Sequence, residues 1–298
     1  MLAQQHLGKT KLAIELAKKV NGEIISCDSM QIYKSLNIGT AKPTKEEMQG
    51  IKHYLIDVVE PNQRFSVSNY KLIATEAIEE ILSKNKMPIV VGGTGLYVDS
   101  LIYNINYYDV KIDEKYRNEL EKIAKEDGLE KLYEIATKID PEAMRKISKN
   151  DKKRIIRVLE IYKQTGKTKT ELEVESRKTE IKYNFKIFAI NIEREILYDR
   201  INKRVDEMIN NGLIEEVREI LKKYKEFPTA MQGLGYKETK EYIDGKITKE
   251  ELINKVKLET RRYAKRQLTW FRKNKNIIWL DGKNTQEENL NKILEEIV

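Results

Sequence analysis

Pro88-Ile89-Val90-Val91-Gly92-Gly93-Thr94 is the stretch that decides the fold, because it is continuously apolar and ends in two glycines. An apolar run without polar alternation is typical of a parallel strand that is covered on both faces. Before it, the apolar positions of residues 70–81 recur at helical spacing, and Ser66 or Ser68 is available to cap that helix. The stretch therefore predicts a helix followed by a buried strand.

The same alternation of helix and strand extends in both directions along the chain. Residues 12–20 have helical periodicity, Asn21-Gly22 is a helix stop signal, and residues 23–28 predict a short buried strand. Two further strands are predicted at residues 186–191 and 277–280. This order predicts an α/β fold: a P-loop-type parallel sheet with crossover helices on both faces.

A charged segment interrupts this pattern. From residue 113 to roughly residue 176 the sequence is helical in period and contains no convincing strand. Because strand-like segments return afterwards, a helical insertion explains the pattern better than two consecutive domains. The predicted organisation is an α/β core of residues 1–108 and 185–298, with a helical insertion of residues 109–184. A long basic helix is predicted near the end of the core, at about residues 249–275.

Composition narrows the class of protein. The chain has 298 residues and a net charge of +8, which is compatible with a polyanionic partner. Its single cysteine, Cys27, rules out a disulfide framework or a multi-cysteine metal site within the chain. No apolar run approaches the roughly 18 residues of a membrane helix, and the first ten residues lack the pattern of a signal peptide. We expect a cytoplasmic protein without a membrane partner.

The first residues contain the end of a phosphate-binding loop. Gly8-Lys9-Thr10 precedes a helix, as in the Walker A pattern, where backbone N–H groups and the lysine hold phosphate and the threonine hydroxyl binds Mg²⁺. That pattern requires a glycine at the position of Ala3. Only Met1 and Leu2 precede this position, so the first core strand is predicted to be missing. We therefore expect a damaged loop, with weak ligand binding or poor folding.

Several ordered motifs beyond this loop carry a family resemblance. They are Asp28-Ser29-Met30-Gln31-Ile32-Tyr33, Ile38-Gly39-Thr40-Ala41-Lys42-Pro43, His53-Tyr54-Leu55-Ile56-Asp57, Phe65-Ser66-Val67, Gly92-Gly93-Thr94-Gly95-Leu96-Tyr97 and Arg261-Arg262-Tyr263-Ala264-Lys265-Arg266-Gln267-Leu268-Thr269-Trp270-Phe271-Arg272. Together they resemble the tRNA dimethylallyltransferase family. The resemblance implies transfer of a dimethylallyl group from dimethylallyl pyrophosphate to N6 of the adenosine that follows the anticodon, with release of pyrophosphate.

The resemblance also implies roles for individual residues. Asp28 is the general base at N6, and Thr94 lies beside the reacting centre. Arg204 reaches the departing pyrophosphate together with Gly8-Lys9-Thr10, and the Thr10 hydroxyl binds Mg²⁺. Without the resemblance, Asp28 is better explained as a helix cap or turn residue and Arg204 as a solvated helix residue.

Three segments are predicted to contact tRNA. Asp28-Ser29-Met30-Gln31 surrounds the target base, and the Gln31 amide is able to read an adenine edge. A second predicted segment is Lys153-Arg154-Ile155-Ile156-Arg157, where Arg154 and Arg157 share one face of a helix. The other, buried face of that helix is predicted to include Tyr162. Gln232-Gly233-Leu234-Gly235-Tyr236-Lys237 is a predicted flexible loop in which Tyr236 stacks on a base. The helical insertion is the predicted clamp on the anticodon stem.

Three alternatives remain open at this point. An enzyme that prenylates free adenine nucleotides shares the core motifs but has no need of an RNA clamp. An ATP-dependent small-molecule kinase is suggested by Gly-Lys-Thr alone and leaves the later motifs unexplained. The third alternative is an RNA-binding relative whose catalysis is impaired by the defective loop. For the tRNA dimethylallyltransferase interpretation we expect a monomer.

Overall fold

The computed structural model describes residues 9–105, 107, 113–178 and 180–297, together with the backbone of residues 2 and 3. It divides the chain into two compact units, one of residues 1–102 and 183–298 and one of residues 103–182. The division lies a few residues from the predicted limits of the helical insertion.

The larger unit is built on a six-stranded sheet. Its strands are β1 (Leu2–Ala3), β2 (Gly22–Cys27), β3 (His53–Tyr54), β4 (Met87–Gly92), β5 (Ile187–Asn191) and β6 (Ile277–Asp281). The strand order is β3-β2-β4-β1-β5-β6, and every neighbouring pair is parallel. The α/β prediction is confirmed, and the predicted strands differ from the observed ones by about a residue at each end, as expected for pattern-based boundaries.

The prediction that the first core strand is missing is wrong. Leu2 pairs with Val91 of β4 on one side and with Phe188 of β5 on the other. The backbone of two residues is therefore enough to occupy the centre of the sheet and to join its two halves. The predicted phosphate-loop residue Gly8 lies outside the described residues.

Helices cover both faces of this sheet. In the larger unit they are α1 (Lys9–Lys19), α2 (Lys45–Met48), α3 (Val67–Ser83), α4 (Gly95–Ile102), α10 (Arg194–Asn210), α11 (Leu213–Lys223), α12 (Tyr236–Ile243), α13 (Lys249–Phe271) and α14 (Gln286–Ile297), with a short 3₁₀ turn at Ala230–Gln232. Successive residues of β2 belong to different apolar clusters, with Ile24 in the cluster under α1 and α14 and Ile25 in the cluster under α3 and α4. All six residues of β2 are buried, so the sheet is sealed on both sides.

The smaller unit consists of helices in the part of the chain that the structure describes. They are α5 (Glu114–Glu126), α6 (Leu129–Ile139), α7 (Pro141–Lys146), α8 (Lys152–Thr165) and α9 (Lys169–Ser176). Its own apolar core includes Leu132 and Ile155, both fully buried. Tyr162 of α8 was predicted to be buried in this core, but it is 42% exposed.

None of the helices in the described ranges combines the length and the apolar character that crossing a membrane requires.

Candidate active site

Asp28 lies at the carboxyl end of β2, where the chain leaves the sheet. Its Oδ1 atom accepts hydrogen bonds from the backbone N–H groups of Met30 (2.8 Å) and Gln31 (3.3 Å). This arrangement turns the chain sharply after the strand and fixes the carboxylate. The residue is only 6% exposed, so its charge acts on its neighbours with little screening by water.

Thr94 is brought beside Asp28 by the parallel pairing of β2 and β4. Its N–H donates to the carbonyl oxygen of Cys27 (3.2 Å), and its Oγ1 accepts from the N–H of Ser29 (3.0 Å). The close approach of the two strand ends requires Gly92, because a Cβ atom there would lie 2.1 Å from the Cys27 carbonyl oxygen. The glycine-rich motif is thus explained by backbone contact.

Helix α13 forms one wall of this cluster through residues that the sequence analysis assigned to no site. Gln267 is buried and donates from Nε2 to the carbonyl oxygen of Gly93 (2.8 Å). Tyr263, one helical turn earlier, hydrogen-bonds with Gln267 and Thr94. Burial first, and then the negative charge of Asp28, raise the pKa of Tyr263 to about 12, so its hydroxyl keeps its proton near neutral pH. The spacing of four residues was a usable signal for a shared helix face.

Two cations face Asp28 from separate helices. Lys9, at the start of α1, is buried, and burial lowers the pKa of its ammonium group to about 7 although Asp28 acts in the opposite direction. Arg204, on α10, is half-buried, and burial likewise lowers its pKa against the effect of Asp28. The positive charge of Arg204 further lowers the pKa of Lys9. The structure therefore brings Lys9, Asp28 and Arg204 into one electrostatic cluster.

The predicted magnesium ligand, Thr10, is exposed at the first turn of α1. Within the described ranges there is no group of three or more His, Cys, Asp or Glu side chains that could hold a metal ion. Mg²⁺ is commonly bound through one or two protein oxygens and the phosphates of a substrate, so a lone hydroxyl beside a lysine is compatible with that mode of binding.

Gln31 is engaged within the protein itself. Its Oε1 accepts from the Ser26 hydroxyl (3.0 Å), and its Nε2 donates to the carbonyl oxygens of Thr40 (3.2 Å) and Ala41 (3.4 Å). The predicted reading of an adenine edge by this amide therefore needs correction, because the amide oxygen is engaged by Ser26 of β2 and the amide nitrogen by the loop of residues 37–41. Of its predicted neighbours, Ser29 and Met30 are half-buried beside Asp28.

The segment from Gln232 to Lys237 packs against the turn that follows β2. A Cβ atom at Gly233 would lie 2.8 Å from the Met30 sulfur, so the two predicted tRNA segments touch. Gly235 adopts a left-handed φ of +86° ahead of α12, and Leu234 is half-buried. The prediction that Tyr236 stacks on a base is wrong: its side chain is fully buried, and its hydroxyl donates to Glu216 Oε1 (2.6 Å). In this segment, Gln232 and Lys237 are exposed.

The third predicted tRNA segment lies on α8, in the smaller unit. Lys153 and Arg154 are exposed, and Arg154 pairs with Asp151 (3.0 Å) at the start of the helix. Arg157 contacts the fully buried Glu160 (3.4 Å), which also receives two hydrogen bonds from Arg117. Ile155 and Ile156 were included in the predicted contact segment, but both are buried, at 0% and 4% exposure. Their side chains belong to the core of the unit.

Comparison with known proteins shows the family of this chain. Residues 31–274 match the model of the IPP transferase family. A tRNA dimethylallyltransferase of Acetivibrio thermocellus is 53% identical over 274 residues, which are 92% of this chain and 88% of that protein. One from Thermoanaerobacter sp. is 51% identical over 275 residues, covering 91% of this chain and 87% of the relative.

Two solved structures extend the similarity to the whole fold. The tRNA isopentenylpyrophosphate transferase of Bacillus halodurans is 42% identical with a TM-score of 0.74, over 99% of this chain and 93% of that chain. A eukaryotic dimethylallyltransferase acting on tRNA is 30% identical with a TM-score of 0.79, over 99% of this chain and 76% of that chain. On this evidence, and on the motifs that build the cluster around Asp28, the chain belongs to the IPP transferase family.

Proposed function

We propose that this protein is a tRNA dimethylallyltransferase. It transfers the dimethylallyl group of dimethylallyl pyrophosphate to the exocyclic N6 of the adenosine on the 3′ side of the anticodon. The products are N6-dimethylallyl-adenosine in tRNA and pyrophosphate. Family membership supports the reaction class, and the cluster of Asp28, Thr94, Lys9 and Arg204 supports the assignment of roles.

The acceptor amine is the centre of the proposed chemistry. Its nitrogen attacks C1 of the dimethylallyl group, the C1–O bond breaks, and the bonding electrons leave with the pyrophosphate oxygen. The proton released from N6 passes to the carboxylate of Asp28, which acts as general base. Because Oδ1 of Asp28 holds the turn of residues 28–31, the same contacts that build the turn also aim the carboxylate. Thr94 lies beside it, and its hydroxyl oxygen accepts a hydrogen bond from the backbone N–H of Ser29.

The cations of the cluster are proposed to stabilise the leaving group. Pyrophosphate departs with added negative charge, and positive groups placed in advance in a dry site stabilise that charge. Lys9 is buried and Arg204 half-buried, and both face the centre occupied by Asp28. Mg²⁺, when bound through the Thr10 hydroxyl, supplies further charge neutralisation to the pyrophosphate.

The acceptor is proposed to be the anticodon stem-loop of tRNA rather than a free nucleotide. Reaching N6 requires the base to leave the loop stack, which costs a few kcal/mol in a single-stranded loop. The exposed Lys153 and Arg154 of the smaller unit suit phosphate contacts, and that unit is the proposed clamp on the stem. Gln232 and Lys237 are the exposed polar side chains of the segment beside Met30.

The observation that carries the proposal is the convergence of two helix cations, Lys9 and Arg204, on Asp28, which follows the carboxyl end of β2. The decisive experiment incubates the protein with radiolabelled dimethylallyl pyrophosphate and unmodified tRNA, followed by nucleoside analysis. We expect label in an adenosine of the anticodon loop. A tRNA with guanosine at the acceptor position is the matched control and should take up none.

Parallel reactions separate the alternatives. Equal or greater transfer to AMP than to tRNA would identify an enzyme acting on free nucleotides. Tight binding of tRNA without transfer, under conditions where a solved relative transfers, would identify an RNA-binding protein. Either result would replace the proposal.

A further inference from the structure

Glu216, on α11, holds the loop of residues 37–41 through consecutive backbone groups. Its carboxylate accepts hydrogen bonds from the N–H groups of Asn37 (3.0 Å), Ile38 (2.8 Å) and Gly39 (3.4 Å). Three successive N–H groups aimed at one point form a concave anion site. Here the anion that fills it is a side chain distant in sequence.

The same carboxylate also receives the hydroxyl of Tyr236, at 2.6 Å from Oε1. The Tyr236 ring lies against Gly39 so closely that a Cβ atom there would be 2.5 Å from the ring. Burial and the charge of Glu216 together hold the pKa of Tyr236 well above its usual range, so the phenol remains a donor. Glu216 is thus enclosed by four donors, and hydrogen bonds to an ionised group are about twice as strong as neutral ones.

The loop that Glu216 holds is connected in turn to Asp28. The carbonyl oxygens of Thr40 and Ala41 receive the Gln31 amide, and the N–H of Gln31 donates to Oδ1 of Asp28. A continuous set of hydrogen bonds therefore runs from Glu216 through the loop to the residue proposed as general base. Through Tyr236 the carboxylate also reaches the start of α12, three residues after Gly233, which packs on Met30.

We propose that Glu216 is a positioning residue for the acceptor adenosine, joining the Asp28–Gln31 turn and the Gln232–Lys237 segment into one base-binding surface. This inference rests on the proposed function and deepens it. Glu216 acts through the loop and touches neither substrate nor the reacting atoms. It should therefore govern how tRNA is held and leave the pyrophosphate side of the site unchanged.

Substitution of Glu216 by glutamine tests this role. In Glu216→Gln the side chain keeps its shape, but an N–H₂ donor replaces one acceptor oxygen among donors, so the loop loses its anchor. The matched control is Glu215→Gln, which removes the same charge from the neighbouring exposed residue. Tyr236→Phe removes one of the donors and leaves the carboxylate in place.

Steady-state kinetics and binding of a synthetic anticodon stem-loop provide the readouts. For Glu216→Gln we expect KM for tRNA and Kd for the stem-loop to rise about tenfold or more, while KM for dimethylallyl pyrophosphate stays within about twofold. Tyr236→Phe should show the same selective change at smaller size, and Glu215→Gln should match the wild type. Glu216→Asp, which keeps the charge, should recover part of the affinity for the stem-loop.

Two outcomes would overturn the inference. One is an unchanged KM for tRNA in both Glu216→Gln and Tyr236→Phe; the other is a parallel loss for both substrates together with a lowered melting temperature. If Glu216→Gln does not fold, Tyr236→Phe decides the matter by the same readouts. If the wild type transfers no dimethylallyl group, the proposed function fails, and the stem-loop affinities still decide the role of Glu216.

Discussion

Gln267 donates a hydrogen bond of 2.8 Å to the carbonyl oxygen of Gly93 and leaves no room for a side chain there, since a Cβ atom would lie 2.1 Å from its Nε2. The bond connects the C-terminal motif of α13 with the glycine-rich motif after β4, although the two residues are 174 positions apart. Thr94 follows Gly93 directly, so the contact with α13 helps to fix the position of Thr94. Gly95 is covered in the same way by Trp270.

Replacement of Asp28 by asparagine should remove the general base and preserve the turn. Asparagine retains the Oδ1 acceptor for the N–H groups of Met30 and Gln31. We expect kcat to fall by about 10²- to 10⁴-fold, the usual contribution of a general base. Affinity for the anticodon stem-loop should remain close to that of the wild type. A wild-type rate of transfer by Asp28→Asn in single-turnover assays would show that Asp28 is not the general base.

Pyrophosphate binding should be accompanied by proton uptake above neutral pH. The pKa of Lys9 is lowered to about 7 by burial, so at pH 8 most Lys9 side chains are neutral in the free protein. A bound polyanion favours the ammonium form, so a proton must be taken up; at pH 6 the group is already charged, and uptake should vanish. Calorimetry of pyrophosphate binding in buffers of different ionisation enthalpy measures the number of protons taken up.

The substitution Lys9→Met should abolish the uptake at pH 8. Lys11→Met is the matched control, because Lys11 is exposed on the same helix. Identical buffer dependence in the wild type and Lys9→Met would show that another group takes up the proton.

The hydroxyl oxygen of Thr94 should matter more than its methyl group. Thr94→Val removes the acceptor for the Ser29 N–H (3.0 Å) and leaves that donor without its partner. Without this bond the turn that carries Asp28 is free to shift relative to the acceptor, so we expect kcat to decrease by roughly tenfold or more. Thr94→Ser keeps the oxygen and should stay within a few-fold of the wild type. Equal activity of the two variants would contradict this account.

The two arginines of α8 should differ in what they contribute. Arg154 is exposed, and Arg154→Ala should weaken tRNA binding and lower the slope of log K against log salt by about 1. Arg157 contacts the buried Glu160, which Arg117 also holds, so Arg157→Ala should also cost up to about 1 kcal/mol of unfolding free energy, measured by urea denaturation. Equal losses of stability in the two variants would contradict the predicted difference between Arg154 and Arg157.

Much of the fold was predictable from local pattern. Runs such as residues 88–93 are apolar enough to be buried only as strands of a covered sheet, and helical periodicity identified the helices between them. The position of Asp28 after β2 and of the glycines at the end of β4 also follows from short-range rules. These features depend on residues that are neighbours in the chain, and they suffice for the family.

The availability of the polar side chains was decided only by tertiary structure. From the sequence, the Gln31 amide was expected to read an adenine edge and the Tyr236 ring to stack on a base. In the fold Gln31 holds the loop of residues 37–41, and Tyr236 is buried against Glu216. Nothing in the local sequence distinguishes Glu216 from the other acids of its charged helix, because its partner Ile38 lies 178 residues away.

The central strand shows the same division between sequence and tertiary structure. Two residues at the N-terminus carry no readable strand pattern, yet Leu2 and Ala3 pair on both sides, because β4 and β5 present unpaired backbone groups that a short segment can satisfy. The chain's own sequence determined which residues are apolar, flexible or charged, and thereby the order of helices and strands. Which of the polar groups remain for a substrate depends on contacts between distant segments, and only the folded chain decides it.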